Sequence, residues 1–337
     1  MRRLLSCLCA AGVLAVFVAG CTGDGDGEGA GPRATDAGDG PAGSTTTGAR
    51  PAGPTAAELC SGAQPAPVAP VVAHASLTET SGIATSRTNE GVLWAHNDSG
   101  GAPEVFAVGG DDGADLGRWA LQGAEATDWE DMATGPAPGG ETGDREGDGA
   151  ATLYLGDIGD NNAQRQEITV YRAPEPAVGA RGGGTITGVE ALRLSYADGP
   201  RDAETLLADP ATGDLFVVSK QWDGGPTGVY RVPADADPGT PVVMARVADV
   251  AGLPIQLVTG GDVAQDGSLI VLRTYLGVLV WDRRPDETVG EALARQPCTA
   301  PAAAEPQGEA VALATDNRGY VTISEGGNPP IHWFRLP

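Results

Sequence analysis

One pattern, repeated five times, constrains this chain more than any other feature. Each copy opens with a small or acidic residue and an apolar pair. It then turns into a strand rich in β-branched and aromatic residues, crosses a polar loop, and enters a second such strand. The first copy runs Ser81-Gly82-Ile83-Ala84, Val92-Leu93-Trp94-Ala95 and Val105-Phe106-Ala107-Val108. The second has Trp129-Glu130-Asp131-Met132-Ala133, Leu153-Tyr154-Leu155 and Ile168-Thr169-Val170-Tyr171-Arg172. The third has Ala203-Glu204-Thr205-Leu206-Leu207, Leu215-Phe216-Val217-Val218 and Gly228-Val229-Tyr230-Arg231-Val232. The fourth has Gly261-Asp262-Val263-Ala264, Leu269-Ile270-Val271-Leu272 and Gly277-Val278-Leu279-Val280-Trp281. The fifth has Gly308-Glu309-Ala310-Val311-Ala312, Tyr320-Val321-Thr322-Ile323 and Ile331-His332-Trp333-Phe334. Short apolar runs bounded by turn residues such as Gln265-Asp266-Gly267 argue for an all-β fold. Repetition of the whole unit selects a β-propeller.

Five blades fit the five copies. Four-stranded units of about 40–45 residues would instead give six. Outer strands are expected at Leu116–Leu121, Ala191–Tyr196 and Val242–Val247. The fifth copy ends after its third strand, so Val68–Ala73, ahead of the first copy, is expected to close the ring as its fourth. A short helix is expected around Glu287–Ala294, and a long Gly/Glu-rich loop over Gly135–Gly149.

The N-terminus addresses the compartment. Arg2 and Arg3 precede an apolar stretch from Leu4 to Ala19 that is short for a membrane span, as in a secretory signal. It ends in Val18-Ala19-Gly20-Cys21, which resembles the bacterial lipobox, in which the Cys is acylated and becomes the first mature residue. Residues 1–21 are therefore expected to be a lipoprotein signal, with the membrane bound through lipid on Cys21. Residues 22–65, rich in Gly, Asp, Thr, Ala and Pro, bury too little to offset ordering and read as a tether. Residues 66–337 form the propeller domain. Cys7 and Cys9 leave with the signal, so Cys60 and Cys298 remain as a pair in an oxidising compartment and are expected to form a disulfide. A net charge of -24 argues against a nucleic-acid partner.

The phrases Ser81-Gly82-Ile83-Ala84, Leu93-Trp94 with His96-Asn97-Asp98-Ser99-Gly100, Asp128-Trp129-Glu130-Asp131 and Gly156-Asp157-Ile158-Gly159-Asp160-Asn161 carry a resemblance. Over nearly all of Val68–Pro337 the chain resembles secreted bacterial propellers similar to the SdiA-regulated type and, more distantly, phytase-like esterase propellers. The resemblance implies the fold. Its wider group includes calcium binders and proposed hydrolases of esters and phosphoesters, and no catalytic residue carries over from it.

Repeat position places residues on one face. In a propeller the first strand of each blade lines the channel, and its start lies beside the end of the next, antiparallel strand. The aligned starts are Ser81, Glu130, Glu204, Gly261 and Glu309, followed by Gly82, Asp131, Thr205, Asp262 and Ala310. The aligned second-strand ends are Asn97, Asp157, Ser219, Arg273 and Ser324, followed by Asp98, Ile158, Lys220, Thr274 and Glu325, with His96 beside them. Glu130, Glu204, Glu309 and Asp157 are candidate hard-oxygen ligands for calcium or magnesium. His96, Asn97, Asp98, Lys220, Arg273 and Glu325 are candidate ligand-binding residues, the two cations suiting a small anionic ligand. The competing structural reading is that these groups satisfy one another and the exposed strand ends.

Three functions follow. The first is an extracytoplasmic, membrane-anchored propeller binding a cation or small anionic ligand at its acidic mouth. The second is a metal-dependent ester or phosphoester hydrolase. The third is a non-catalytic scaffold for envelope proteins. Asn97-Asp98-Ser99-Gly100-Gly101 is like the nucleophile segment of trypsin-like proteases, but the repeat excludes their double barrel. Asp157–Asn162 has calcium-loop composition without EF-hand spacing. His74, His96 and His332 form no zinc pattern.

Overall fold

The computed structural model describes residues 53–137, 151–179, 182–222, 224–253 and 257–337. The signal, the lipobox and most of the Gly135–Gly149 loop lie outside them. Among the described residues the chain is all-β, with two short helices.

Five four-strand meanders follow one another. The first comprises β2 (Thr80–Thr85), β3 (Val92–Asn97), β4 (Glu104–Gly109) and β5 (Asp115–Leu121). It is preceded by helix α1 (Ala56–Gly62) and strand β1 (Gln64–Pro65). The second comprises β6 (Trp129–Gly135), β7 (Thr152–Asp157), β8 (Ile168–Pro174) and β10 (Glu190–Tyr196). Between its last two strands β9 (Gly184–Ile186) pairs in parallel with β5. The third comprises β11 (Ala203–Ala208), β12 (Leu215–Ser219), β13 (Gly228–Val232) and β14 (Val242–Asp249). The start of β14 also pairs in parallel with β10, which joins the second and third meanders. The fourth comprises β15 (Val258–Val263), β16 (Leu269–Thr274), β17 (Gly277–Asp282) and, after helix α2 (Val289–Leu293), β18 (Cys298–Ala300). The fifth comprises β19 (Gly308–Leu313), β20 (Gly319–Ser324) and β21 (Ile331–Arg335), with β1 as its fourth strand.

The first strand of each meander packs on that of the next: β2 on β6, β6 on β11, β11 on β15, β15 on β19, and β19 on β2. The architecture is propeller-like. Burial follows from it. All five first strands are buried at every position, whereas β14 exposes five of its eight residues. Aliphatic and aromatic residues from neighbouring meanders fill the space between sheets, as with Trp94, Trp129, Leu153 and Tyr171 between the first two. The first strands favour small residues because they crowd together. A Cβ on Gly260 would lie 2.8 Å from the Glu309 carbonyl.

Adjacent first strands do not share a ladder, so side chains join them. Asp131 accepts from the amides of Met132 on its own strand, Leu206 on β11 and Gly261 on β15. Asp262 accepts from Val263 and Leu313. The hydroxyls of Ser81, Thr85, Thr134 and Thr259 donate to carbonyls of Glu130, Leu313, Thr85 and Gly308.

Several expectations need correction. Structure begins before residue 66: α1 and β1 fall within the stretch read as tether. Helix α1 is set by a capping box that the alanine-rich composition hides, with Thr55 Oγ1 accepting from the Glu58 amide and Glu58 accepting from the Thr55 amide. The regular strand that completes the fifth meander is Gln64–Pro65, not Val68–Ala73. The latter touches β21 only near its start, through the Val71–Pro330 bridge and the Ile331-to-Pro70 hydrogen bond. Helix α2 is shorter than the expected Glu287–Ala294. The Cys60–Cys298 disulfide is present and ties α1 to β18.

Asp131→Ala would leave three buried amides without an acceptor, each worth about 1–3 kcal/mol. We expect it to destabilise the chain by roughly 3 kcal/mol or more in chemical denaturation, and Asp131→Asn to cost clearly less. A neutral Asp131→Ala variant would show that these bonds do not hold the first strands together.

Candidate functional site

The site grows from an irregularity that all five meanders share. Where each first strand begins, its register against the second strand slips. The slips fall between Thr80 and Ile83, Trp129 and Asp131, Ala203 and Thr205, Val258 and Gly260, and Gly308 and Ala310. A bulge re-aims the extra side chain. The extra residues include Ser81, Glu130, Glu204 and Glu309, and all four line one cavity of about 160 Å³. In the fourth meander the extra residue is Thr259, which is not among the cavity's lining residues.

The ends of the second strands supply the rest. Opposite the slips stand Asn97, Asp157, Ser219, Thr274 and Ser324. Three of them fold back on the loop entering their own first strand. Asn97 accepts from the amides of Thr78 and Glu79, Asp157 from Thr127 and Asp128, and Ser324 from Gln307. One position later come Asp98, Ile158, Lys220, Tyr275 and Glu325, and all but Ile158 line the cavity.

This separates the expected site residues. Glu130, Glu204, Glu309, Asp98, Lys220 and Glu325 are brought together. Asp157 is not. It is buried, paired with Arg165 at 2.8 Å and spent on the two amides. Asp160 likewise accepts from the Arg165 amide, so the calcium-like composition of Asp157–Asn162 is used for a turn. Asn97 is the loop latch just described. His96 is fully buried edge-on to Trp129, with Nδ1 at 2.8 Å from the Asn97 carbonyl. Burial lowers its pKa to about 4, against the pull of the Asn97 hydrogen bond, and keeps it neutral.

Arg273 is also elsewhere, in a buried pair with Glu305 at 2.8 Å. The reason is alignment. In the fourth meander the true equivalents are Thr259 and Tyr275, not Gly261 and Thr274, and Arg273 stands one residue before the latch position. A one-residue slip along a strand exchanges its two faces.

Sequence reasoning missed Asp128, Tyr275, Trp222 and Gln307. Asp128 was inside a quoted motif but precedes its strand. Its carboxylate lies with those of Asp98 and Glu130 so that one oxygen from each falls within 4.8 Å of the others. Gly159 keeps this spot open: a Cβ there would sit 2.1 Å from Glu130 Oε1 and 2.5 Å from Asp128 Oδ2. On the other side Lys220 Nζ donates to Glu204 Oε1 and, at 2.9 Å, to the Tyr275 hydroxyl. Gln307 Nε2 donates to Glu309 Oε1 at 2.8 Å.

Burial and mutual repulsion govern the electrostatics. Burial, with Glu204, Asp98 and Asp128 close by, pushes Glu130 well above the carboxylate range. Burial and the nearby Asp98 raise Asp128 to about 6. Burial raises Glu309 to about 7, although Gln307 and Lys220 pull the other way. Burial opposes the charge on Lys220, but Glu204 outweighs it and holds the ammonium above its usual range, while burial raises Glu204 itself to about 8 against the pull of Lys220.

Comparisons place the chain among known proteins only loosely. No family model and no curated protein matches it. Among solved structures it is similar to a chain of a nidogen/laminin complex, at TM-score 0.39 and 14% identity over 75% of this chain and 74% of that one. It is also similar to a hydrazine synthase chain of Kuenenia stuttgartiensis, at TM-score 0.38 and 13% identity over 74% and 93%.

The raised carboxylates predict an inverted pH response. The folded values exceed the unfolded ones, so between about pH 4 and pH 7 the folded chain holds more protons, and stability falls as pH rises through that window. With chelator present, the melting temperature of the full chain is expected to be several degrees higher at pH 5 than at pH 8. A rise instead would mean that these carboxylates are ionised and compensated in the folded state.

Proposed function

We propose that the protein is a membrane-anchored, extracytoplasmic five-bladed propeller, closed by β1, that binds a divalent cation, calcium or magnesium, at its acidic mouth. Asp98, Asp128 and Glu130 are the ligands. The observation that carries this reading is the convergence of these three carboxylates beside Gly159, where Arg165 and Lys220 offset only part of their repulsion and a bound cation would offset the rest. The packing of β19 back on β2 supports the ring. The layout of residues 1–21 and the Cys60–Cys298 disulfide support export and the anchor on Cys21.

A small anionic ligand fits less well. Among the described residues, Asp98, Glu130, Glu204, Glu309 and Glu325 line the cavity against one cation, Lys220, and that cation is already paired. The same charge argues against phosphoester hydrolysis. The carboxylate cluster favours cation binding over an apolar scaffold rim.

Thermal unfolding of the full chain in chelator and then in excess calcium tests the reading. A ligand bound only by the folded state, at a hundredfold excess over its dissociation constant, adds about 2.7 kcal/mol. Calcium should raise the melting temperature of the wild type and barely move that of Asp128→Asn. No rise with calcium, magnesium or manganese overturns the proposal. Separately, Cys21→Ser should move the protein from the membrane to the soluble fraction.

A further inference from the structure

We propose that the mouth has two cation positions, and that Lys220 fills the second one with its own ammonium group, limiting the site to one bound divalent ion. This rests on the cation reading of the Asp98, Asp128 and Glu130 cluster.

Three observations carry it. The first is what Lys220 touches. Its ammonium is buried on Glu204 Oε1 and the Tyr275 hydroxyl, 4.8 Å from the centre of the Trp222 ring and 4.9 Å from that of Tyr275. This is an oxygen-lined seat for a compact positive charge. The second is what Lys220 leaves undone. Glu204 Oε2 is buried and has no hydrogen-bond partner among the described residues, and Glu204 is 6% exposed and lines the cavity. A buried carboxylate oxygen without a donor is costly. A single monovalent charge satisfies one of its oxygens, whereas a divalent ion can take both. Glu309, on β19, lines the same cavity, and its charge adds to the rise that burial imposes on Glu204.

The third observation is residue choice. Lys220 is the only lysine in the chain, all other fixed cations being arginines. It occupies the repeat position that holds Asp98 and Glu325 in other meanders. Arginine presents a planar fork suited to two parallel hydrogen bonds, while lysine presents a point charge closer in shape to a metal ion. Lysine is therefore the side chain that can stand in for an ion here. Glu130 lies between the two positions: its carboxylate belongs to the first cluster and is raised by Glu204.

The test is calcium stoichiometry by equilibrium dialysis on the full chain in detergent, with the protein kept in calcium throughout. The wild type should bind one ion. Lys220→Met removes the internal charge without adding bulk and should bind two. Combining it with Glu204→Gln should return the count to one. Lys220→Gln keeps a neutral donor to Glu204 and Tyr275, and serves if Lys220→Met does not fold; it too should bind two. Terbium supplies a positional check. An ion in the Lys220 position lies beside Trp222 and Tyr275, so sensitised emission should rise several-fold in the Lys220 variants over wild type.

A wild type that binds no ion overturns the cation reading on which this depends. A wild type that binds one ion, with folded Lys220 variants that also bind one and show no added emission, overturns the second position alone. Lys220 would then be an ordinary partner for Glu204.

Discussion

Five strand starts crowd together in this fold without sharing a ladder, and the rest of the structure answers that constraint. Backbone groups facing the axis must find partners, because buried amides without acceptors are expensive. Asp131 and Asp262 take that role from one side, and Thr85, Thr134 and Thr259 from the other. Crowding selects small residues such as Gly260. It also makes each strand leave its ladder by an extra residue where the crowding begins. Four of those extra residues, Ser81, Glu130, Glu204 and Glu309, face the cavity. The mouth is thus a by-product of how the strands converge, furnished with acid.

Much of this was legible in the chain. The five copies, the outer strands near Leu116, Ala191 and Val242, and the Cys60–Cys298 pairing follow from turn chemistry, alternation and compartment. Glu130, Glu204 and Glu309 were found because repeat position was a sound guide to depth in the fold. It failed in the fourth copy, where apolar spacing alone aligned Gly261 with Glu130. The bulge that sets the true register leaves no mark in apolar spacing. Arg273 was thereby placed at the mouth, and Tyr275 was overlooked.

Asp157 and Asn97 illustrate a different gap. Their residue types suit a ligand and a loop equally, and only the positions of the Thr127, Asp128, Thr78 and Glu79 amides decide between them. Helix α1 was hidden by its own sequence, since an alanine-rich stretch among prolines looks like linker. Its capping box, Thr55 to Glu58, was the readable signal.

The order of elements at the N-terminus has a mechanical meaning. Helix α1, carrying Cys60, comes before β1, and Cys60 is bonded to Cys298 in β18. A pull on the chain ahead of residue 53 therefore reaches a covalent bond into the fourth meander before it reaches Gln64. The two-residue pairing of β1 with β21 is weak by itself and would peel under load. The disulfide lies upstream and diverts that load into the body of the protein.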